Sequence, residues 1–333
     1  MPLIVEPWDL TKTGEWDHFL RFYTAYLKEV EGIDSFKEQE DIVTSLAYHD
    51  HILALNQRSD PPFVIASLLK DGAIIGFAEY RVFPLEHRKS FLDCLYLVPE
   101  ERGKGYGSYF YDEIEKDLLR LDARYVDLTA GESSLGFFTH KDFQKTNDHS
   151  LENHRMCYRK FLPRAFDYKK ILVLGSPGAG KSYFSSQLAQ AFSCPIVHMD
   201  MLYWKPNWEH VSDEEMRHLL DQAMAGERWI IDGNYASTLE YRYQKADIVF
   251  FLDYPPELCL QGEKERRGHP REDFPSFLTE GEDPNFLKFI ASFPKVGRFV
   301  IVDMAEKYIH TSFVRFSSRE ECNQFLSLYK RGH

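Results

Sequence analysis

The chain has 333 residues, a formal net charge of −12 that falls mostly in its first half, and 44% hydrophobic residues, enough for two domain cores. The acidic charge argues against a nucleic-acid partner, and no apolar run approaches the roughly 18 residues that a membrane helix needs. The N-terminus lacks the basic-then-apolar pattern of a signal peptide, and the five scattered cysteines form no CxxC pair. We therefore expect a cytoplasmic protein with no nucleic-acid or membrane partner, no disulfide framework and no zinc site.

The first half of the chain mixes helical and strand patterns. Apolar spacings of three and four predict helices, and short β-branched and aromatic runs predict strands. In chain order the predicted elements are helices over 15–31 and 37–55, strands over 63–69 and 73–82 joined by an Asp71-Gly72 turn, a strand over 91–98, a helix over 106–118, and strands over 125–128 and 155–161. Residues 137–143 form a short aromatic segment.

A phosphate-binding pattern lies between the third strand and the helix that follows it. Arg102, Gly105 and Gly107 form an Arg-x-x-Gly-x-Gly sequence. Backbone N–H groups at such a helix start suit a pyrophosphate. A plain turn explains the same short pattern, so the surrounding sequence has to decide between the two.

The run LYLVPEERGKGYGSYFYDEIE, which begins at Leu95, resembles motif A of the GNAT family of acyl-CoA-dependent N-acetyltransferases. The order of elements over residues 3–162 also fits. The resemblance implies a mixed α+β sheet domain that binds acetyl-CoA, with the amides of 103–108 around its pyrophosphate, a diverging strand at Leu95 to Leu97 along its pantetheine arm, and Arg102 adding charge. The implied cofactor-binding residues are Leu95, Tyr96, Leu97, Arg102, Gly103, Lys104, Gly105, Tyr106, Gly107 and Ser108.

The catalytic groups of an acetyl transfer have to neutralise an amine and then protonate a thiolate. Many GNAT members place a tyrosine in an FYeklGF segment as the acid, but Phe138 occupies that position here and Asp142 replaces the glycine. Another residue, or water, then serves, or the fold is used without the usual chemistry. Asp93 and Glu79 are the candidate bases, because each lies on a strand near the expected divergence, although each could equally be a strand-surface carboxylate.

The second half begins with a complete P-loop pattern, Gly-x-x-x-x-Gly-Lys-Ser, between a short aliphatic strand and an apolar helix face. Its glycines allow successive N–H groups to turn toward phosphate oxygens, and the helix start adds partial positive charge. Lys181 is expected to reach the β- and γ-phosphates of ATP, and Ser182 to hold Mg²⁺. The loop residues are Gly175, Ser176, Pro177, Gly178, Ala179, Gly180, Lys181 and Ser182.

The rest of the second half predicts alternating strands and helices. Three strands end near acids, at Asp200, Asp232 and Asp253, and acids at the carboxyl ends of parallel strands are well placed to meet a ligand. Other predicted elements are a helix over 257–267, a mainly helical stretch over 287–307 in which 299–302 could be a strand, a strand over 312–316, and helices capped by Ser212 and Ser318. The aromatic run 203–208 is either core or a substrate wall.

Four segments, GSPGAGKS, HMDMLYW, WIIDGNY and FFLDYPPELCLQGEKERRGHPRED, resemble P-loop kinases called DNA topology modulation proteins, which are relatives of adenylate and shikimate kinases. The resemblance implies that Asp200 touches the phosphoryl acceptor or its Mg²⁺, and that Asp232 is the acid of a DGFPR-like motif. That motif's arginine is absent, which puts a nucleoside-monophosphate acceptor in doubt; Arg242 could substitute for it. Lid arginines would be Arg266, Arg267 and Arg271.

These patterns predict an α/β protein of two domains, 1–163 and 169–333, joined by a linker over 164–168. We expect a bifunctional enzyme that uses acetyl-CoA, ATP and Mg²⁺ on small-molecule acceptors. The alternatives are a regulator that senses acyl-CoA or nucleotide, and a partner-coupled NTPase with an inactive GNAT module. The acceptors, the choice of ATP or GTP, and the oligomeric state are left open by the sequence.

Overall fold

A computed structural model describes residues 2–30, 37, 40–57, 62–83, 89–149, 155–163, 166–269, 271–278 and 281–330. The chain divides into two compact units, one of residues 1–145 and 149–164 and the other of residues 146–148 and 165–333. All five cysteines are buried free thiols. Within the described ranges, no helix combines the length and the apolar character that crossing a membrane requires.

A seven-stranded mixed sheet forms the centre of the first unit, in the order β1-β2-β3-β4-β5-β7-β6. Its strands β4 and β5 run parallel and its other pairs antiparallel. The strands are β1 Leu3–Pro7, β2 Phe63–Lys70, β3 Ala73–Phe83, β4 Lys89–Leu97, β5 Tyr125–Thr129, β6 Gln144–His149 and β7 Met156–Phe161. The accompanying helices are α1 Glu15–Val30, α2 Leu46–Asn56, α3 Tyr106–Arg120 and α4 Glu132–His140.

Most elements predicted for the first unit are confirmed, and the turn between β2 and β3 shows why. Asp71 and Gly72 have φ angles of 52° and 82°, and this pair of left-handed residues matches the twist of a two-residue hairpin. The predicted helix over 37–55 falls partly on residues 38 and 39, which lie outside the described ranges. Strand β6 was not predicted, because its sequence QKTNDH has no apolar alternation and it lies at the sheet edge.

A buried ion pair joins two neighbouring strands of this sheet. Arg159 on β7 donates to both carboxylate oxygens of Asp127 on β5, at 2.7 Å and 2.8 Å. Asp127 is 4% exposed and Arg159 is 6% exposed. Because neither charge reaches much water, each depends on the other for its solvation.

The second unit is built on a five-stranded parallel sheet in the order β12-β11-β8-β10-β9. Its strands are β8 Lys170–Gly175, β9 Ile196–His198, β10 Trp229–Asp232, β11 Ile248–Leu252 and β12 Ser312–Phe316. Its helices are α5 Lys181–Phe192, α6 Met199–Tyr203, α7 Asp213–Ala223, α8 Ala236–Tyr243, α9 Pro256–Arg266, α10 Pro284–Ser292, α11 Gly297–Lys307 and α12 Arg319–Lys330. Strand β8 lies in the middle, so the loop after Gly175 leaves the sheet at the carboxyl edge, where open parallel sheets bind ligands.

Two predictions for the second unit need correction and two are confirmed. Residues 299–302 are helical within α11, whose buried residues Ile301 and Ala305 are four apart, as a helix face requires. Asp200 does not end a strand: β9 stops at His198 and Asp200 lies in the first turn of α6. Ser212 caps α7 and Ser318 caps the last helix, accepting backbone N–H bonds at 3.1 Å and 3.2 Å.

We predict that Asp127→Asn lowers the free energy of unfolding of the first unit by about 3 kcal/mol, because it removes the carboxylate that accepts two hydrogen bonds from the buried Arg159 guanidinium. Urea denaturation followed by circular dichroism measures this. Lys116→Gln is the control, since it breaks an exposed pair with Glu113 on α3. A loss for Asp127→Asn no larger than the control's would contradict the role of the buried pair.

Candidate functional site

The first candidate site lies where β4 and β5 separate. Their pairing is recorded at Lys89, Ser90 and Phe91. Further along, the described part of β4 has no pairing to β5, so the predicted divergence at Leu95 to Leu97 is confirmed. The opening exposes one backbone edge of β4 directly before the glycine loop and α3.

The loop after β4 brings uncapped N–H groups to the same end of the sheet. Gly103 and Gly105 have φ angles of 72° and 82°, which only glycine adopts readily. Gly105 is the N-cap residue of α3 and, in the described structure, no side chain caps this helix. The amides of the first turn therefore face outward and suit an anion.

Arg102, which the sequence analysis expected to add charge at this loop, is bound to other groups of the first unit. Its guanidinium donates to both carboxylate oxygens of Glu29 at 2.7 Å and to the Leu97 carbonyl at 2.9 Å. It also lies over the Tyr96 ring, 5.3 Å from the centroid. This bidentate pair ties α1 to the loop and lowers the pKa of Glu29, so Arg102 serves here to fix the loop in place.

The other predicted residues of this loop also lie beside the diverging strand. Lys104 donates to Glu101 at 3.0 Å, and a Cβ at Gly107 would lie 3.5 Å from the Leu97 side chain. Tyr106 and Ser108 belong to the first turn of α3. The loop and the strand edge thus form one continuous surface.

The two predicted bases meet at a β-bulge. Glu79 on β3 pairs with Cys94 while Tyr80 pairs with Leu92, so Asp93 is the extra residue of β4. Asp93 is held by Arg81, whose Nε lies 2.9 Å from one carboxylate oxygen. Asp93 is thus paired with a positive charge, whereas the acidity of Glu79 is determined mainly by its burial.

Burial changes the acidity of Glu79 strongly. The residue is 7% exposed, and its Oε1 has no hydrogen-bond partner among the described residues. Loss of water, with the negative charge of Asp93 adding to it, raises the pKa of Glu79 to about 8. The group can therefore release and take up a proton near neutral pH, as a general base must.

Phe138, at the position of the family's tyrosine, is part of the core of the first unit. It is 8% exposed, and its ring packs edge-on against Phe137 and Phe143 with centroids 5.1 Å and 5.5 Å away. A hydrocarbon ring in such packing supplies no proton. The residue that protonates the thiolate is not identified by this position.

The second candidate site is a cavity of about 640 Å³ at the carboxyl edge of the parallel sheet. It brings together predicted residues that are up to about ninety positions apart in sequence. Those that line it are Gly178, Ala179, Gly180, Lys181, Ser182, Asp200, Asp232, Arg266 and Arg271. Residues that the sequence analysis did not select also line it, among them Tyr254, Asp273, Arg319 and Asn323.

The P-loop conformation depends on glycine. Gly178 and Gly180 have φ angles of 78° and 88°, and a Cβ at Gly178 would lie 2.0 Å from the Cys259 carbonyl oxygen on α9. Lys181 donates to the carbonyl oxygens of Gly175 and Ser176 at 3.0 Å and 3.1 Å. Burial lowers the pKa of Lys181, and its ammonium group lies within the loop that it is expected to serve.

Behind the loop, Asn234 holds Gly175 from both sides. Its Oδ1 accepts from the Gly175 N–H at 3.1 Å, and its Nδ2 donates to the Gly175 carbonyl at 2.8 Å. Asn234 was missed in the sequence analysis, although it directly follows the Asp-Gly pair of WIIDGNY. It is a positioning residue, since it fixes the start of the P-loop.

Arg242 has to be corrected as a substrate-binding residue. It is fully buried, and its guanidinium donates to the carbonyl oxygens of Gly233, Asn234 and Tyr235, the first at 2.8 Å and the last at 3.2 Å. Burial lowers the pKa of Arg242 to about 9. Because its donors are bound to the backbone, Arg242 braces the turn after β10 and does not face an acceptor.

Two carboxylates reach the cavity, Asp232 from the end of β10 and Asp200 from the first turn of α6. Asp200 accepts a short hydrogen bond from the Tyr235 hydroxyl, and burial raises its pKa. Asp232 lies 2.9 Å from Nδ1 of His198, a residue that the sequence analysis did not select. Burial alone would lower the pKa of His198, but the hydrogen bond and charge of Asp232 raise it above its usual value.

The three predicted lid arginines separate in the structure. Arg271 forms a bidentate pair with Asp273 at 2.9 Å and 2.7 Å, and these two line the cavity with Arg266. Arg267 is corrected: it does not line the cavity and its guanidinium binds Glu263 and Glu282. The i,i+4 spacing on α9 favours the first of these pairs.

Asp273 connects Arg271 to the loop over Gly175 to Ser182. Burial would raise its pKa, but hydrogen bonds with Arg271 and with the Ser182 side chain lower it well below its usual value. The sequence places Asp273 two residues after Arg271, in an Arg-Glu-Asp run, so this carboxylate could have been considered as a site residue. Spacing alone did not indicate which carboxylate would meet Ser182.

The comparisons with known proteins bear on the first unit. Residues 17–143 match the family model described as the Acetyltransferase (GNAT) family, which is less than half of the chain. These residues lie in the first unit, which is therefore similar to GNAT acetyltransferases. The family match supports acetyltransferase activity for the first unit. The matched residues include the diverging strands, the bulge and the glycine loop of the first candidate site.

Solved structures with similarity to this chain cover about half of it. One is the PaiA N-acetyltransferase of Thermoplasma acidophilum in complex with coenzyme A, at 17% identity over 48% of this chain and 99% of that chain, TM-score 0.39. Another is Tetrahymena GCN5, which is 13% identical. The match covers 50% of this chain and 100% of that chain, with a TM-score of 0.35. A third is the N-acetylglutamate synthase of Neisseria gonorrhoeae, complexed with coenzyme A and N-acetyl-glutamate, which is 16% identical. The match covers 49% of this chain and 36% of that chain, with a TM-score of 0.37.

The raised pKa of Glu79 predicts how the stability of the first unit depends on pH. From about pH 5 to about pH 8 the folded domain keeps a proton on Glu79 that the unfolded chain releases. Stability therefore falls as pH rises, by up to about 1.4 kcal/mol per pH unit from this group. The difference between wild type and Glu79→Gln, measured by urea denaturation across this range, isolates the effect.

The glutamine side chain of the variant cannot ionise, so the variant should lack this contribution to the pH dependence. The unfolding free energy of wild type should therefore fall more steeply with pH than that of the variant. If the unfolding free energies of the two proteins run parallel from pH 5 to pH 8, Glu79 is not a buried titrating carboxyl.

Proposed function

We propose that the chain is a bifunctional enzyme. Its GNAT domain transfers the acetyl group of acetyl-CoA to an amine, and its C-terminal unit is a P-loop kinase that transfers a phosphoryl group from Mg²⁺-ATP to a hydroxyl. The observation that carries the proposal is the same in both units: a strand end is followed by a left-handed glycine and an uncapped helix start, and the same unit holds an acid or base of shifted pKa. Small-molecule acceptors fit both chemistries.

For the acetyl transfer we assign the general base to Glu79. With a pKa of about 8 it is partly ionised near neutral pH and can take the proton of an incoming ammonium group. Asp93, bound to Arg81, raises the proton affinity of Glu79 through its charge. Acetyl-CoA, when bound, supplies the acyl group and the thiolate leaving group.

The residues of the first site fit acetyl-CoA. Left-handed Gly103 and Gly105 and the uncapped first turn of α3 offer backbone donors to a pyrophosphate. The unpaired edge of β4 at Leu95 to Leu97 offers donors and acceptors to an amide-containing arm. The shape and polarity are those that the family resemblance implies.

For the phosphoryl transfer the cavity offers positioning and charge, which are what this reaction needs. Lys181 and Arg266 supply positive charge near the P-loop, and Ser182 supplies a hydroxyl for Mg²⁺. Asp200 is the carboxylate that would orient a hydroxyl and accept its proton, because burial raises its pKa.

A magnesium ion delivered with ATP needs few protein ligands. It keeps several waters and contacts substrate phosphates, with one or two side chains completing its octahedral shell. Among the described residues, no group of three or more His, Cys, Asp or Glu side chains could hold a metal ion. Ser182 and Asp200 are the side chains that we assign to this contact.

The base assignment predicts distinct kinetics for the two candidate carboxylates. Glu79→Gln should lower kcat/KM for acetyl transfer by about 100-fold or more, since it removes the general base. Asp93→Asn should retain activity and shift the midpoint of the pH–rate profile downward from about 8, because it removes a negative charge beside Glu79. Release of the coenzyme A thiol with a panel of primary amines measures both.

A greater loss in Asp93→Asn than in Glu79→Gln would reverse the assignment. Tight acetyl-CoA binding without turnover of any amine would favour the acyl-CoA-sensing alternative.

The kinase assignment predicts that Lys181→Ala weakens Mg²⁺-ATP binding at least tenfold, because the variant removes the positive charge that lies within the loop. Calorimetry on the full chain measures the dissociation constant. Lys205→Ala is the matched control, since Lys205 pairs with Glu215 on the surface of the same unit. Equal affinity in wild type and both variants, or no ATP binding by wild type, would rule out this site.

A further inference from the structure

Five aromatic rings run in sequence across the second unit and are called the aromatic strip: Tyr235, Tyr203, Trp204, Trp208 and Phe274. The centroid distances along it are 4.7 Å, 4.8 Å, 5.4 Å and 6.0 Å. Successive rings are therefore in contact. They come from the start of α8, from α6 and the segment after it, and from the segment after α9.

The aromatic strip runs from the core to the surface, because Tyr203 and Tyr235 pack against the core cluster of the unit. None of its five residues is among the buried residues of the unit, and Trp208 is 48% exposed. Asn207 and Trp208 both have a φ of 61°, a conformation that bulky L-residues rarely adopt. Such strain persists where the surrounding structure has a use for it, and here it presents an indole to solvent beside Phe274.

The two ends of the aromatic strip lie at reactive groups of the cavity. At one end the Tyr235 hydroxyl donates to Asp200, the carboxylate assigned to the acceptor hydroxyl. At the other end the Arg271 guanidinium lies over the Phe274 ring, 5.1 Å from its centroid. Asp200 and Arg271 line the cavity, so each end of the aromatic strip borders the cavity through one of these residues.

The cations around the aromatic strip are already bound to protein groups. Arg271 is paired with Asp273, and Arg242 is buried against three backbone carbonyls. An acceptor that carried its own phosphate would need a bidentate arginine at this place. The exposed ring of Trp208, with Phe274 beside it, instead offers an apolar aromatic surface, which favours a flat ring.

We propose that the aromatic strip is the acceptor subsite of the kinase, and that the acceptor is a small alcohol with a flat aromatic ring and no phosphate group. This inference rests on the proposed kinase function. In the reaction, the acceptor oxygen forms a bond to the γ-phosphorus of ATP, the bond from that phosphorus to the β,γ-bridging oxygen breaks, ADP leaves, and the hydroxyl proton passes to solvent.

The test compares 2-phenylethanol with 2-cyclohexylethanol, which has a similar size and no π face. Calorimetry on the full chain, in the presence of Mg²⁺-ADP, should show 2-phenylethanol binding about two- to tenfold tighter. Trp208→Ala should remove that preference and Trp208→Phe should keep most of it. Phe299→Ala, which removes a 66% exposed ring of the same unit outside the strip, should change nothing.

Uridine is a third probe, because a nucleoside also combines a flat ring with a hydroxyl. If uridine binds saturably, 2-phenylethanol does not, and Trp208→Ala weakens the binding of uridine, the inference is supported and the aromatic ring of the acceptor belongs to a nucleoside.

The outcomes separate the subsite from the kinase proposal. If wild type binds Mg²⁺-ATP but shows no preference between ring and cyclohexyl, or if Trp208→Ala leaves the preference unchanged, the subsite is wrong and the kinase assignment stands. If wild type fails to bind Mg²⁺-ATP, the kinase assignment fails, and ring-selective binding in the absence of nucleotide then decides the subsite on its own.

Discussion

Both candidate sites depend on one backbone constraint. In each, a helix starts at a glycine with a left-handed φ, 82° at Gly105 and 88° at Gly180, and within the described structure no side chain caps either helix. The first-turn N–H groups of these helices therefore have no side-chain partner and point away from the helix. A side chain with a Cβ would strain this backbone, so the glycine is what keeps the amides available for an anion.

The polar groups behind these loops act by holding the backbone in place. Asn234 and Arg242 bind main-chain atoms of the P-loop and of the turn after β10, and Arg102 binds Glu29 across the first loop. The reactive carboxyls, Glu79 and Asp200, differ from them because burial raises their pKa and leaves them able to accept a proton.

Local patterns in the sequence predict most of the fold, because apolar periodicity and glycine turns act within a few residues. Helix α1, the β2–β3 hairpin and the strand before the P-loop are examples. Patterns fail where the deciding contact is distant in sequence. Arg102 and Glu29 are 73 residues apart, and Asn234 and Gly175 are 59 apart, so no local signal pairs them.

The candidate site shows the same division. The P-loop and the motif A loop were located from spacing, but the partners of Arg242 and Arg267 required the folded chain. Glu79 was one of two equal candidates in the sequence, and only the burial of its carboxyl and the Arg81–Asp93 pair distinguish the two. Asp273 and His198 were missed because a carboxylate or imidazole has no local pattern that marks its contacts.

The central claim is that the two units hold two separate cofactor sites, and thermal denaturation of the wild-type protein tests it most directly. A ligand that binds only the native state at about 100 times its dissociation constant stabilises it by about 2.7 kcal/mol. We predict that acetyl-CoA and Mg²⁺-ATP each raise the melting temperature of a transition, and that together they produce both shifts undiminished. If neither ligand raises it, or if each abolishes the shift of the other, the account of two independent sites is wrong.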